Sequence, residues 1–147
     1  AKIYFRFSHL FLDRPELRDF WWEMAREEEQ HACILHACRA IIENYDDESL
    51  DPTLSSDKAQ ELRAWLNAFL AHGTASLSVE ESFRMALEIE GSEIDAIYSK
   101  LIRLGGPRVA TTMENLGVPA SIQRQKLKAA LRQFCANPEL LSAAERL

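Results

Sequence analysis

Glu28 and His31 are the side chains in this sequence whose type and spacing could do chemistry. Leu17, Trp21, Met24, Glu28, His31, Leu35, Cys38 and Ile42 recur at alternating intervals of three and four, the spacing of one buried helix face. A carboxylate and an imidazole on such a face need a partner, because burying an unpaired charge is very unfavourable. A bound metal ion is one such partner. A hydrogen-bonded Glu–His pair inside the core is another, and a helix rotated so that both reach an edge would remove the need.

A second stripe repeats the pattern. Val79, Phe83, Ala86, Glu90, Glu93, Ile97, Leu101 and Leu104 keep the same spacing, with Glu90 and Glu93 one turn apart in mid-helix. Glu88 and Asp95 fall off this stripe and are expected in solvent. Of the run Glu27-Glu28-Glu29 only Glu28 lies on its stripe, so Glu27 and Glu29 are also expected in solvent. Carboxylate oxygen with a few imidazole nitrogens suits iron or manganese. Residues at i and i+3 share a helix face, so each pair could serve one ion or bridge two. Without metal, Glu90 and Glu93 would need a water-filled or lysine-neutralised pocket.

These residues need long helices to position them. Residues 1–12 read as the end of a helix, with Ile3, Phe7, Leu10 and Phe11 apolar. Asp13, Pro15 and Glu16 read as a capping box with proline in the first turn of the second main helix, which runs to about Asn44. A polar loop, Asp46 to Ser56, leads to a shorter helix from Asp57 to His72, stopped by Gly73. Ser78-Val79-Glu80-Glu81 is a capping box for the third main helix, expected to reach about Leu104 before Gly105-Gly106-Pro107. Pro119 starts the fourth, which runs to about Cys135, and a short tail helix is expected from Glu139. No segment alternates at period two, so no strand is expected. Ile3-Tyr4, Phe7 and Leu10 match Ile97-Tyr98, Leu101 and Leu104 at a constant offset, a weak sign of two related halves.

With 147 residues and 47% hydrophobic content, the chain is expected to form one domain, residues 1–147, with a real core. A net charge of -6 and no basic stripe argue against nucleic acid. No apolar run approaches the roughly 18 residues of a membrane span. Cys33, Cys38 and Cys135 make no Cys-x-x-Cys pair, which suggests reduced thiols packed in the core and a cytoplasmic setting. The chain starts without Met and within a helical pattern, so the beginning of the first helix is expected upstream. His9, His36 and His72 read as surface or edge residues. Trp21, Trp22, Trp65 and Phe69 read as core or interface.

The segments Phe20-Trp21-Trp22-Glu23-Met24-Ala25-Arg26-Glu27-Glu28-Glu29-Gln30-His31-Ala32 and Ala86-Leu87-Glu88-Ile89-Glu90-Gly91-Ser92-Glu93, followed by Tyr98, resemble the rubrerythrin branch of the ferritin-like superfamily of di-iron carboxylate proteins. The resemblance implies an all-α, ferritin-like four-helix bundle with a long, helix-containing crossover between its second and third helices. It implies Glu28, His31, Glu90 and Glu93 as ligands of iron, manganese or another divalent metal. It also implies oxidation of Fe(II) or reduction of peroxide, with electrons from an external donor. Tyr4 and Tyr98 could hydrogen-bond ligand carboxylates or lie at the bundle surface.

The fourth helix departs from that family. Its Glu and His positions fall on Gln123 and Lys126, and the first-helix Glu would lie just before Ala1. Gln123 is a weak oxygen ligand, whereas a charged lysine cannot ligate. Lys126 could instead turn its ammonium to Glu28, Glu90 or Glu93 and replace the metal. Alternatively the helix is shifted in register and its polar positions face solvent. The competing expectation is therefore a non-catalytic bundle with a degenerate site and no metal. It would act by association, as a homodimer through its exposed aromatics, or by binding a small molecule.

Overall fold

In the computed structural model, residues 1–42, 56–72, 76–91, 111 and 117–147 are described, and they are all-α with no strand among them. Six helices are described: α1 (Lys2–Leu10), α2 (Pro15–Ile42), α3 (Ser56–His72), α4 (Val79–Glu90), α5 (Ala120–Phe134) and α6 (Pro138–Glu145). Glu93, Tyr98 and the second half of the suggested repeat lie outside the described residues. So do the side chains of Leu35, Cys38, Ile42, Phe69 and His72.

The two apolar stripes do what their periodicity requires. Leu17, Trp21 and Met24 on α2 and Phe83 and Ala86 on α4 are buried, with Leu127 and Leu131 of α5 between them. The turn after α1 sends the chain back along itself, so α1 packs on α2 through rings. Trp21 stacks on Tyr4 at 5.7 Å and meets Phe7 edge-on at 4.9 Å. α5 lies antiparallel to α2, because Glu16 pairs with Gln133, Glu27 with Lys126 and Glu28 with Gln123. α4 packs against α5 and α6. The intervening α3 lays Leu66 and Leu70 on the core, and Arg6 Nη1 donates to the Leu70 carbonyl at 3.0 Å.

The helix ends follow side-chain chemistry, with two corrections. At α4 the capping box forms as expected: Glu81 N donates to Ser78 Oγ at 3.2 Å, and Ser78 N donates to Glu81 Oε2 at 2.8 Å. Asn137 caps α6 by accepting from Glu139 N and Leu140 N. The capping box expected at Asp13 and Glu16 does not form. The Arg14 carbonyl closes the first turn of α2 on Arg18 N, and Glu16 accepts from Gln133 Nε2 instead. The second correction concerns length. α4 ends at Glu90 with Gly91 as its C-cap, well short of Leu104. Glycine inside a helix costs about 1 kcal/mol relative to alanine, and apolar periodicity alone does not register that.

Candidate metal centre

One turn of α2 and the start of α5 bring Glu28, His31 and Gln123 into contact. Gln123, fully buried, donates from Nε2 to Glu28 Oε1 at 2.9 Å. His31 Nδ1 lies 3.3 Å from the same oxygen, and its Nε2 lies 2.7 Å from the Val118 carbonyl. A carbonyl only accepts, so Nε2 carries a proton and Nδ1 is the nitrogen turned to Glu28. Gly117, beside Val118, lies against the same turn of α2. A Cβ there would come 2.7 Å from Ile34 Cδ1 and 3.8 Å from His31 Cδ2.

Burial pushes the Glu28 carboxyl up, but the hydrogen bonds from His31 and Gln123 and the nearby positive charge outweigh it and leave the group below the usual carboxylate value. The ionised form is therefore the stable one. With Nε2 donating to Val118, the His31 hydrogen bond that helps keep this carboxyl ionised needs a second proton on Nδ1, so the ring is an imidazolium and a metal ion would have to displace that proton. Two ligands at about 2.1 Å from one ion, at a tetrahedral-like angle, stand about 3.3 Å apart. The pair thus matches two neighbouring ligands of one ion. A backbone carbonyl holding the far nitrogen is the usual support for a metal-binding histidine.

Glu90 is buried on α4 and accepts from Tyr4 Oη at 2.6 Å, so of the two alternatives for Tyr4 the carboxylate bond is the one found. Glu90 of α4 is thus tied to the start of α1 through Tyr4. Among the described residues, no group of three or more His, Cys, Asp or Glu side chains is arranged to hold a metal ion. The donors in mutual contact are Glu28, His31 and the amide of Gln123. As placed, only Glu28 and His31 offer donor atoms to an ion, because Gln123 turns its N–H end to the carboxylate.

Four expectations need correction. Glu27 is not in solvent: it is buried, and its Oε1 forms an ion pair with Lys126, whose Nζ also lies 3.9 Å from Glu23. Lys126 thus turns to the neighbour of Glu28 and not to Glu28 or Glu90. The reason is register: on the antiparallel pair, Lys126 lies one turn beyond Gln123 and meets the α2 surface beside the stripe. Buried Gln123 also rules out a fourth helix with its polar positions in solvent. Finally, Cys33 is exposed, although Cys135 is buried. His9 and His36 are exposed, as expected for surface residues. Trp21 is core, while Trp22 and Trp65 are partly exposed. Sequence reasoning missed Glu27, because its partner Lys126 is supplied by the neighbouring helix and no spacing within α2 signals it.

Three buried polar atoms among the described residues have no partner: Trp21 Nε1, Glu27 Oε2 and Gln123 Oε1. No family model, curated protein or solved structure matches this chain.

Proposed function

We propose that this chain is a ferritin-like metal-binding bundle in which Glu28, His31 and Gln123 hold one divalent ion, iron or manganese being suited to such oxygen and nitrogen donors. The observation that carries the reading is the 3.3 Å approach of His31 Nδ1 to an ionised carboxylate, with Nε2 anchored on a carbonyl. Glu90 of α4, held by Tyr4, and Glu93, three residues on in the sequence, would be further ligands of the same centre. A bundle with a helix-containing crossover, α3 lying between α2 and α4, belongs to this proposal. So do rubrerythrin-type oxidation of Fe(II) or reduction of peroxide, an external electron donor, a cytoplasmic setting and self-association through exposed Trp22 and Trp65.

A second reading has its own support. Glu28 is satisfied by two side chains, and Lys126 and Glu27 form an ion pair next to it, so a non-catalytic bundle could hold this layer together by hydrogen bonds alone. In that case the proton, not a metal, sits between Glu28 and His31. Metal content of protein purified without chelator separates the two, with Glu28→Ala and Glu90→Ala as controls. Stoichiometric iron or manganese that is lost in Glu28→Ala supports the metal centre. Metal-free protein whose melting temperature ignores added Fe(II) and Mn(II) refutes it.

A further inference from the structure

The most unusual atom in this layer is Gln123 Oε1. It is a buried carbonyl oxygen with no hydrogen-bond donor, in a residue with no solvent exposure. Such a group ordinarily loses free energy for want of a partner, and few are left in folded proteins. The other end of the same amide is satisfied, because Nε2 donates to Glu28 Oε1. Ionised Glu28 dictates this orientation: it attracts the amide N–H and repels the carbonyl oxygen.

A cation bound between Glu28 and His31 reverses that preference. It repels the amide hydrogens and attracts the carbonyl oxygen. The two ends of a carboxamide have nearly the same shape, so a half-turn about the last side-chain torsion exchanges them without moving a neighbour. We propose that the Gln123 side chain turns over in this way, donating to Glu28 in the metal-free protein and ligating through Oε1 when a divalent ion is bound. The inference rests on the metal-binding reading above. It adds that the amide is a metal-responsive element that holds the empty site closed and then completes it.

The test uses the full chain, stripped of metal, and Zn(II) alone as a diamagnetic probe. Calorimetry gives the affinity, and the side-chain amide signals of 15N-labelled protein report Gln123 directly, assigned by their absence from the Gln123→Leu spectrum. In wild type, Zn(II) should move both Gln123 Nε2–H signals away from the position that a carboxylate-bonded amide takes. Gln123→Leu should bind Zn(II) on the order of tenfold more weakly or worse. Gln123→Glu, which has two oxygens and no donor, should melt lower than wild type without metal, because it sets a second carboxylate against Glu28, and should bind Zn(II) more tightly. Wild-type binding with unmoved Gln123 amide signals overturns the inference and leaves the metal centre standing. No binding by wild type overturns both. Should Gln123→Leu fail to fold, through-bond correlation from the assigned Gln123 backbone identifies the same amide signals, and the wild-type spectrum still decides the matter.

Discussion

Replacing Tyr4 by phenylalanine isolates a single oxygen. The Tyr4 ring is 1% exposed, and phenylalanine keeps its stacking on Trp21 and its tilted contact with Phe7 at 6.0 Å. What is lost is the 2.6 Å hydrogen bond to Glu90, itself 3% exposed. A hydrogen bond to a charged acceptor contributes about 1.5–3 kcal/mol, and the void of one oxygen adds little. The expected loss is therefore about 1.5–3 kcal/mol. At roughly 2–4 °C per kcal/mol for a domain of this size, the melting temperature falls by about 3–12 °C. Urea denaturation followed by tryptophan fluorescence measures the loss directly, with the slope unchanged if the unfolded state is the same. Glu90→Gln supplies the control. Its amide oxygen still accepts from the hydroxyl, but as a neutral group, so Tyr4→Phe in that background should cost only about 0.5–1.5 kcal/mol. An equal loss in the Glu90→Ala background, where that carboxylate is gone, would show that the hydroxyl is not held by Glu90 and would refute the reasoning.

Other layers yield sharper sign tests. Lys126→Met leaves Glu27 buried with neither oxygen paired and should cost about 1–3 kcal/mol, whereas the paired change Lys126→Met with Glu27→Leu should recover most of it in the same urea experiment. Gly117→Ala drives a methyl group against Ile34 Cδ1 and should cost about 1–2 kcal/mol. Adding Ile34→Val removes that atom, so the double variant should lose less than the sum of the single losses. Glu81 titrates below the usual carboxylate value because the backbone N–H and the side chain of Ser78 hydrogen-bond to it. A depressed folded value means stability present above about pH 4.5 and lost as pH falls through the lower, folded value. Glu81→Gln should thus flatten the fall in melting temperature below about pH 4.5. A profile identical to wild type would count against the capping box as its source.

Much of this arrangement was legible because helix periodicity is a direct record of burial. Trp21, Met24, Phe83, Leu127 and Leu131 lie where spacing puts them. The capping chemistry of Ser78 was legible too, since it needs only residues three apart. What periodicity does not encode is which residue on the neighbouring helix a polar side chain will meet. Glu27 and Glu28 are adjacent in sequence, and the stripe assigned one to the core and the other to water. In the structure Glu27 is the more deeply buried of the two, because Lys126 of α5 crosses beside it. The interhelical register that brings Lys126 there is a property of the packed pair. Gly91 illustrates the other limit. A stripe of correctly spaced apolar residues continues past it, but the backbone cost at glycine is independent of that pattern.

The different fates of Glu27 and Glu28 also bear on the metal reading. A lysine near a would-be centre suppresses metal binding only if its ammonium neutralises the ligands themselves. Here the ammonium is taken by Glu27, with Glu23 close by, so its charge is largely spent on carboxylates outside the trio. Glu28 keeps its ionised form through hydrogen bonds from a neutral amide and an imidazole, which can be displaced or redirected when a cation arrives. Removing Glu27 should therefore do more than unpair Lys126. Glu27→Gln frees the ammonium to seek the nearest remaining carboxylates, and Glu28 is on the adjacent residue. The expected result is weaker Zn(II) binding in Glu27→Gln, with affinity restored on adding Lys126→Met. A Glu27→Gln variant that binds as tightly as wild type would mean that Lys126 never competes for the centre, with or without its partner.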